Sequence, residues 1–385
     1  MSFKNKLKAF LLKKIASKSR TPFDTNRLKK ILIFRYDRIG DMVVTTPLIS
    51  GLKKTFPNSK IIILASDANA EVLTMNRHVD EIKKYSKNIF LRVKCLLNLR
   101  KDKIDLLIDL NHSIIWRALL EIRLINPVWA ISPQKNSRYG VNGSSLSLYD
   151  QQSDDDINQP LSLIYLNLLN LLKPKPHCFN NDYYVPLNKK HLRRTSKILH
   201  GKNKPFICLN FFGGRSEIRL NLNSVNSIVD AIKKQTPSCT IFLITSPVNY
   251  LANLDIKKKL YDQTLVEIVP PTLSVLDAAS FIKSMDLLIT PDTSLVHFAC
   301  AYKVPLIAVY PKEKFLYAQW QPIPSNKSLV SFSSQPKSLE GYSEKELLNN
   351  ITHMLKKLNK KTPINRRFFN TLNTKVAAQL GGPQY

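Results

Sequence analysis

The sequence predicts an α/β protein in which two domains, each built on a parallel sheet, face each other across a cleft. Length is the first reason, because 385 residues exceed what one hydrophobic core usually organises, at roughly 150 residues per domain. The second reason is alternation: short β-branched runs alternate with helical segments, in two series separated by a polar stretch. Ligands of such folds collect at the carboxyl ends of the strands, so we expect the site in the cleft.

The first series begins at Lys30. Strands are predicted where apolar, β-branched residues cluster, at 31–36, 60–65, 104–109 and 127–131. Helices are predicted from longer periodic segments, at 46–55, 93–100 and 161–172. The prolines in 173–176 end the last of these helices.

The second series begins near Phe206. It predicts strands at 206–210, 240–245, 287–290 and 306–310, with helices at 224–234, 274–284 and 294–301. The predicted organisation is a basic N-terminal arm (1–29), an N-terminal domain (30–175), a linker with one short helix (176–203), a C-terminal domain (204–345), and a C-terminal helix with a basic tail (346–385).

The charge balance indicates a polyanionic partner. Lys and Arg number 58 against 28 Asp and Glu, a net charge of +30 that concentrates anions around the protein. Nucleic acid, anionic lipid and a phosphorylated glycolipid satisfy this field equally. We find no RNA-binding signature and no zinc-finger spacing, so no specific nucleic acid is expected.

The arm is a candidate membrane contact. Residues 1–30 hold ten basic residues and one acid, Asp24, for a net charge of +9. Apolar residues recur among the lysines at helical spacing, as in a helix that lies in a lipid interface: Phe3, Leu7, Phe10, Leu11 and Ile15. A solvated extension, or a helix packed on the body, is an equally good interpretation.

The cysteines and the hydropathy indicate the compartment. Five dispersed cysteines form no Cys-x-x-Cys pair and have no histidine nearby at metal-ligand spacing, which fits a reducing cytoplasm and predicts no metal site. No apolar run approaches the roughly 20 residues that span a bilayer, and no signal peptide is recognisable. We therefore expect a cytoplasmic protein associated peripherally with the inner face of the cytoplasmic membrane.

The first motif is Phe34-Arg-Tyr-Asp-Arg-Ile-Gly-Asp-Met-Val-Val-Thr-Thr-Pro47, a strand that breaks into a glycine turn and opens a helix. Gly40 permits close backbone approach. Asp41 lies where a carboxylate could accept a proton from an attacking hydroxyl. The alternative role for Asp41, capping of the helix, is at least as well supported by the sequence.

The second motif, Leu288-Ile-Thr-Pro-Asp-Thr-Ser-Leu-Val-His297, is an apolar strand followed by a helix that starts near Asp292, Thr293 and Ser294. Free N–H groups and hydroxyls at such a helix start attract a diphosphate. Plain capping is the alternative, and for His297 the residues alone favour a core histidine.

The third motif, Leu209-Asn-Phe-Phe-Gly-Gly-Arg-Ser-Glu-Ile-Arg-Leu220, runs from a strand into a glycine pair at Gly213. Arg215 and Arg219 follow it and could neutralise a leaving diphosphate. The alternative is a surface loop with solvated arginines.

Together these motifs resemble glycosyltransferase family 9, the ADP-heptose:lipopolysaccharide heptosyltransferases and their relatives. Arg-x-Asp-Arg-Ile-Gly-Asp…Thr-Thr-Pro is one signature, and Ile289-Thr-Pro-Asp-Thr-Ser…His297-Phe-Ala followed by Val304-Pro-Leu-Ile-Ala-Val is the other. Weaker similarities lie between them, at 105–111 and 138–140, so the resemblance covers roughly residues 30–312.

The resemblance implies a GT-B fold of two Rossmann-like domains, the first on the acceptor side and the second binding the donor nucleotide. It implies an inverting, metal-independent transfer without a cofactor, with Asp41 as the catalytic base. The implied acceptor-side residues are Arg38, Gly40 and Thr45, and the implied donor-binding residues are Gly213, Arg215, Arg219, Asn249, Asp292, Thr293, Ser294 and His297.

The implied partners are a nucleotide-diphosphate sugar, with ADP-heptose favoured, and an anionic glycolipid acceptor of the lipopolysaccharide core or a related surface glycan. The sequence departs from the family at three points on the donor side. Ser294 replaces a glycine, Arg219-Leu-Asn221 replaces a Lys-Trp-Pro-like stretch, and Thr245-Ser-Pro-Val-Asn249 lacks the acid that holds the donor ribose. Asn249 offers a weaker hydrogen bond in its place, which leaves a UDP- or GDP-linked sugar as an alternative.

Two further interpretations remain at this point. A non-catalytic protein that binds nucleic acid or a membrane surface would explain the charge, but it leaves the strand–turn–helix motifs unexplained. An inactive family member that serves as a partner in glycan assembly would explain the three departures, whereas the presence of Asp41 and Asp292 argues against it.

Overall fold

The computed structural model describes residues 24–138, 140–172, 179–324 and 326–360, together with Phe10, Leu12, residues 14–18 and Pro22. Within these ranges the chain forms two sheets, each of six strands. Every strand pair within them is parallel. None of the described helices is long and apolar enough to cross a membrane.

The N-terminal sheet has the strand order β3-β2-β1-β4-β5-β6. Its strands are β1 (Lys30–Arg35), β2 (Lys60–Ala65), β3 (Glu81–Lys84), β4 (Leu106–Asp109), β5 (Trp129–Pro133) and β6 (Gln151–Ser153). Its helices are α1 (Ile39–Thr55), α2 (Ile89–Lys101), α3 (Trp116–Ile125) and α4 (Leu161–Asn167).

The alternation of side chains along β1 assigns these helices to the two faces of the sheet. Ile31 and Ile33 pack in one hydrophobic cluster with α1 and α4. Leu32 and Phe34 pack in another with α2 and α3. Both faces are therefore covered, as a parallel sheet requires.

The C-terminal sheet has the equivalent order, β12-β11-β10-β7-β8-β9. Its strands are β7 (Phe206–Asn210), β8 (Thr240–Ile244), β9 (Val266–Ile268), β10 (Leu287–Pro291), β11 (Leu306–Tyr310) and β12 (Ser328–Phe332). Its helices are α5 (Lys189–Leu199), α6 (Leu222–Gln235), α7 (Tyr250–Lys258), α8 (Val275–Lys283), α9 (Ser294–Tyr302), α10 (Lys314–Trp320) and α11, which spans 344–360.

Helix α5, in the stretch predicted as a linker, packs on the C-terminal half. The Thr195 hydroxyl donates a hydrogen bond to Ser280 Oγ at 2.8 Å, and Arg194 forms a 2.7 Å ion pair with Asp277. Both partners lie on α8. This helix is therefore attached to the C-terminal domain.

Helix α1 begins at Ile39, seven residues before the predicted start at Thr46, so that predicted start is wrong. Pro47 lies inside the helix and cannot donate to the carbonyl of Val43, four residues earlier. The Thr46 hydroxyl donates to that carbonyl at 2.7 Å instead. This bond satisfies the Val43 carbonyl, so the helix continues through Pro47. The sequence had suggested that this proline lies near the start of the helix.

The helix predicted at 161–172 is α-helical only to Asn167 and continues as a 3₁₀ turn over Leu168–Leu171. The prolines that follow cannot continue an α-helix, which fits a tightened last turn.

The described part of the N-terminal arm packs on the first domain. Leu12 and Ala16 are buried in the same cluster as α2 and α3, and Lys18 forms a 3.2 Å ion pair with Asp150. Of the predicted apolar stripe, Phe3, Leu7 and Leu11 lie outside the described residues, as does the predicted basic tail at 361–385.

Candidate functional site

Both sheets place their switch points at one cleft. In each sheet the strand order reverses between the first and fourth strands, β1 and β4 in one and β7 and β10 in the other, and ligands bind at such points. The loops that follow these strands line a cleft of about 1100 Å³. The predicted position of the site, at the carboxyl ends of strands between two domains, is where the structure has this cleft.

Asp41 both caps α1 and faces the cleft. Its Oδ2 accepts a hydrogen bond from the backbone N–H of Arg38 at 3.2 Å, which is the capping role. Its Oδ1 lies 3.4 Å from Nη1 of Arg35, and 14% of its side chain is exposed to the cleft. Burial raises the pKa of Asp41 despite the opposing Arg35 charge. A raised pKa makes a carboxylate a better proton acceptor. Capping the helix therefore leaves Asp41 facing the cleft, and the base role stays a prediction.

Arg35, which is not among the site residues predicted from the sequence, holds this carboxylate. Its side chain is 2% exposed; Nε donates to Thr45 Oγ1 at 2.9 Å and Nη1 to Asp37 Oδ2 at 3.0 Å. The guanidinium also lies 4.8 Å from the centre of the Tyr165 ring. The sequence signal that could have identified Arg35 is an arginine at the end of an apolar strand.

Thr45 lies beneath the cleft rather than on its surface. Its side chain is fully buried, and its hydroxyl donates to the backbone carbonyl of Asp41 at 2.7 Å while accepting from Arg35. The predicted acceptor-side position of Thr45 therefore gives no direct access to a ligand, and its contacts orient Arg35 instead.

The opposite wall of the cleft is the start of α9. Thr293 caps this helix, its hydroxyl accepting from the N–H of Leu295 at 3.3 Å. Thr293, Ser294 and Asp292 line the cleft. Burial raises the pKa of Asp292 to about 6, against the opposing charges of Arg215 and Arg38. The N–H groups of Leu295 and Val296 already donate to Thr293, so an anion at this wall would meet the hydroxyls of Thr293 and Ser294 and the positive end of the helix dipole.

The ends of β7 and β10 are tied together behind this wall. The amide of Asn210 donates to Thr290 Oγ1 at 3.0 Å and to the backbone carbonyl of Phe212 at 2.9 Å. The Thr290 hydroxyl lies 3.2 Å from that of Thr293. This chain of hydrogen bonds fixes the α9 start relative to the neighbouring loop.

His297 and Gly40 bring the two predicted motifs into contact. A Cβ atom placed on Gly40 would lie 2.9 Å from Cδ2 of His297, so only glycine allows this approach. The His297 ring lies between Tyr183 and Trp320, with ring centres 6.1 and 5.8 Å away. Burial lowers the pKa of His297 to about 4. His297 is therefore a neutral, buried histidine that joins the domains at the base of the cleft.

The glycine–arginine loop sends one of its two arginines to the cleft. Gly213 donates its N–H to the carbonyl of Ile218, and a Cβ there would lie 2.3 Å from the Ile218 side chain. The loop is thereby folded into a narrow hairpin, with Phe212 paired to Arg219. Arg215 at its tip lines the cleft, whereas Arg219 is exposed and does not.

The similarity at residues 105–111 leads to a buried ion pair beneath the cleft. Lys135 Nζ lies 2.9 Å from Asp109 Oδ2, and the Tyr149 hydroxyl donates to the same oxygen at 2.6 Å. Burial alone would raise the pKa of Asp109, but Lys135 and Tyr149 outweigh it and lower the pKa. Lys135 also donates to the backbone carbonyl of Asn111. Asn111 lines the cleft, so this pair supports its wall.

A second contact that the sequence analysis missed crosses the cleft. Glu71 Oε2 accepts a hydrogen bond from the N–H of Val275, in the first turn of α8, at 2.9 Å. Both residues line the cleft. An acid paired with a helix N-terminus of the other domain cannot be recognised without knowing how the domains face each other.

The structure thus brings most predicted site residues together around one cleft and leaves two outside its lining, Thr45 and Arg219. Those that line it are Arg38, Gly40, Asp41, Gly213, Arg215, Asn249, Asp292, Thr293, Ser294 and His297.

Comparison with known proteins agrees with this arrangement. Residues 98–348 match the sequence model of glycosyltransferase family 9 (heptosyltransferase). Lipopolysaccharide heptosyltransferase 1 of Campylobacter coli is 22% identical over 297 residues, 73% of this chain and 83% of that protein.

Two solved structures share the fold, which confirms the GT-B prediction. The glycosyltransferase family 9 protein of Veillonella parvula superposes with a TM-score of 0.72, at 16% identity, over 88% of this chain and all of that one. An E. coli heptosyltransferase with ADP has a TM-score of 0.65 at 15% identity, over 86% of this chain and 99% of that one. Because the family match spans well over half of the sequence, the chain belongs to glycosyltransferase family 9 and is a glycosyltransferase.

Proposed function

We propose that the protein transfers heptose from ADP-heptose, with inversion, onto a lipopolysaccharide or lipooligosaccharide core, or a related surface glycan, at the inner face of the cytoplasmic membrane. One observation carries the proposal: the Asp41 carboxylate and the N-terminus of α9 line the same cleft from its two sides. A base on one wall and an anion-binding helix start on the other are what a single displacement at a sugar diphosphate needs.

The reaction can be written from these groups. The oxygen of the acceptor hydroxyl attacks the anomeric carbon of the donor sugar, and Asp41 accepts the proton of that hydroxyl. The bond from that carbon to the diphosphate oxygen breaks, and its electron pair leaves with ADP. Attack opposite to the leaving group inverts the anomeric centre. The raised pKa of Asp41 favours the proton transfer.

The leaving diphosphate would be stabilised on the C-terminal wall. Ser294 and Thr293 would donate from their hydroxyls and the first turn of α9, and Arg215 would supply the positive charge. On this proposal the transfer is metal-independent. Gly213 keeps the Arg215 loop narrow enough to sit beside the cleft.

ADP is the favoured nucleotide because the C. coli relative is a heptosyltransferase and the E. coli structure of the same fold holds ADP. Asn249 lines the nucleotide side of the cleft without an acid beside it in 245–249. A UDP- or GDP-linked sugar is therefore the alternative that the experiment must separate.

The charge supports the proposed peripheral attachment to the membrane. The net charge of +30, of which residues 1–30 contribute +9, would hold the protein at an anionic surface. An acceptor that is an anionic glycolipid would be found at the same surface.

Calorimetric titration of the full-length protein with ADP, UDP, GDP and CDP at physiological salt tests the donor assignment. Selective binding of ADP supports it and directs the transfer assay to ADP-heptose. Selective binding of UDP or GDP would replace the heptose donor, and binding of none would contradict the proposed site.

A matched pair of variants sharpens this test. Arg215→Gln and Arg219→Gln remove the same charge from the same loop, once inside the cleft lining and once outside it. We expect Arg215→Gln to weaken nucleotide binding by about tenfold or more, and Arg219→Gln to weaken it less. Equal losses would show that the loop acts only through its overall charge.

A further inference from the structure

Helix α2 exposes an apolar surface that its packing does not use. Ile89, Phe90 and Leu91 in its first turn are 57%, 82% and 58% exposed, and Val93 and Leu97 continue the surface along the helix. We call these five residues the α2 apolar patch. Contiguous exposed apolar side chains of this kind mark an interaction surface more often than single exposed residues do.

The patch is additional to the core-facing side of the helix. Leu96 and Leu99 are buried against the N-terminal sheet, in the cluster that contains Phe34. These residues fix the inward face of α2, so the patch points away from the sheet.

The first turn of α2 is held in place by its cap. The Asn88 side chain accepts hydrogen bonds from the N–H groups of Phe90 and Leu91, at 2.9 and 3.3 Å. A capped turn presents its side chains from an ordered backbone. The exposed phenyl ring therefore belongs to a defined surface.

Basic residues outnumber acids around the patch, where Asp102 caps the end of α2 and Glu81 pairs with Lys60 and Lys83. Residues 86–101 hold five basic side chains and no acid: Lys87, Arg92, Lys94, Arg100 and Lys101. The neighbouring helix α3 adds Arg117 and Arg123, while its one acid, Glu121, is buried and accepts the hydrogen bond of the Tyr85 hydroxyl. An apolar surface surrounded by basic residues is complementary to a bilayer with anionic headgroups.

The position of the patch fits a substrate that comes from a membrane. β3 is parallel to β1 and β4, so its carboxyl end lies on the same side of the sheet as theirs, where the cleft opens. Helix α2 follows β3 and therefore begins on that side. Lys84, the last residue of β3, forms a 3.2 Å ion pair with Asp67, which lines the cleft. A bilayer in contact with the patch would lie beside the mouth of the cleft.

We propose that the α2 apolar patch enters the headgroup region of an anionic bilayer and presents the cleft to a lipid-anchored acceptor. The basic arm packs on the same face of the sheet, with Leu12 and Ala16 directed into the core. Lys14, exposed in the described part of the arm, adds a positive charge there, and α2 contributes the apolar contact. The purpose of the contact depends on the proposed function, whereas lipid binding itself does not.

Co-sedimentation of the full-length protein with vesicles tests the proposal. We compare phosphatidylcholine alone with phosphatidylcholine mixed with phosphatidylglycerol, using wild type, Phe90→Ser/Leu91→Ser, and a control, Leu251→Ser/Tyr261→Ser. The control removes two exposed apolar side chains, 74% and 83% exposed, from the other domain. We expect the α2 variant to bind the mixed vesicles at least about tenfold more weakly, and the control to bind like wild type.

A second readout places the helix in the lipid. Phe90→Trp should gain fluorescence that brominated lipid quenches, relative to wild type under the same conditions. Equal sedimentation of the α2 variant and its control, or no additional quenching, would overturn the proposal and leave a protein partner as the use of the patch.

Nucleotide titration of the same variants separates this proposal from the proposed function. Phe90 and Leu91 do not line the cleft, so we expect unchanged nucleotide affinity in Phe90→Ser/Leu91→Ser. If no nucleotide binds wild type but the α2 variant still loses lipid binding, the transferase proposal fails and the membrane contact stands. If nucleotide binds wild type but the α2 variant binds lipid like wild type, the membrane contact fails and the transferase proposal stands.

Discussion

The interaction of Arg35 with Asp41 leads to a quantitative prediction about pH. The two side chains are 2% and 14% exposed and lie 3.4 Å apart, and the Arg35 charge lowers the pKa of Asp41 against the effect of burial. An opposite charge at this distance is worth about 1–3 pKa units. Arg35→Met removes the charge and should raise the pKa of Asp41 by that amount.

A general base works only when it is ionised, so transfer is lost as the pH falls through its pKa. In Arg35→Met we expect the acidic limb of the pH dependence of kcat to move upward by about 1–3 units. The assay is ADP release under saturating donor and acceptor between pH 5 and pH 9. Arg35→Lys, which keeps the charge, should shift the limb less.

The same substitution should reduce stability. Removing one partner of a buried pair costs about 3–5 kcal/mol, and we expect the lower end because Asp37, the other carboxylate, is partly exposed. Thermal denaturation identifies the pH range in which Arg35→Met remains folded. If the folded variant has the same acidic limb as wild type, Arg35 does not set the ionisation of the base and the reasoning is refuted.

Two further predictions concern the cleft walls. Gly40→Ala should destabilise the protein by about 1–3 kcal/mol, because the added Cβ would lie 2.9 Å from His297. Gly214→Ala is the control, since its Cβ would meet nothing within 4 Å. Equal melting temperatures of the two variants would refute the contact between Gly40 and His297. Asp292→Asn should stabilise the unliganded protein at pH 7.5 by up to about 3 kcal/mol, because burial raises the pKa of this carboxyl to about 6 from about 4 when unfolded. A pKa raised on folding means that wild-type stability falls as the pH rises from about 4 to about 6, so the stability gained by Asp292→Asn should vanish near pH 4. Denaturant unfolding at pH 7.5 and at pH 4 measures this gain. An equal gain at the two pH values would contradict the raised pKa of Asp292.

The inner strands of both sheets could be predicted, and the outer strands could not. The eight predicted strands are the inner strands, and β1, β7 and β11 show why: they are almost entirely buried and read as continuous apolar runs. The four missed strands are the edges of the sheets: β3, β6, β9 and β12. Edge strands are short and partly exposed, as in Glu81–Lys84 and Gln151–Ser153. Their pairing is decided by the neighbouring strand, which the local sequence does not reveal.

The candidate site divides in the same way. The positions of Asp41, Asp292 and Ser294 could be predicted. Each lies in a local strand–turn–helix pattern that places it at the carboxyl end of a strand. The direction of a side chain within such a segment is not local. Thr45 turns inward to Arg35. Arg219 pairs with Phe212 across its narrow loop and lies outside the cleft lining.

Contacts between the domains were inaccessible to sequence reasoning. Glu71 reaches Val275 across 204 residues of chain, and Gly40 meets His297 only because α1 and α9 pack together. Each depends on how two separately folded sheets face each other, which no local pattern specifies.

The most direct test of the account is the transfer rate of Asp41→Asn. Asparagine keeps the size of the side chain and an oxygen that can accept the hydrogen bond from Arg38, so the cap is preserved while the base is removed. We expect kcat to fall by about 10²–10⁴, with nucleotide affinity close to that of wild type. Because Arg35 keeps its 3.0 Å ion pair with Asp37, we expect little change in melting temperature. A variant that transfers sugar at the wild-type rate would contradict the assignment of Asp41 as the base.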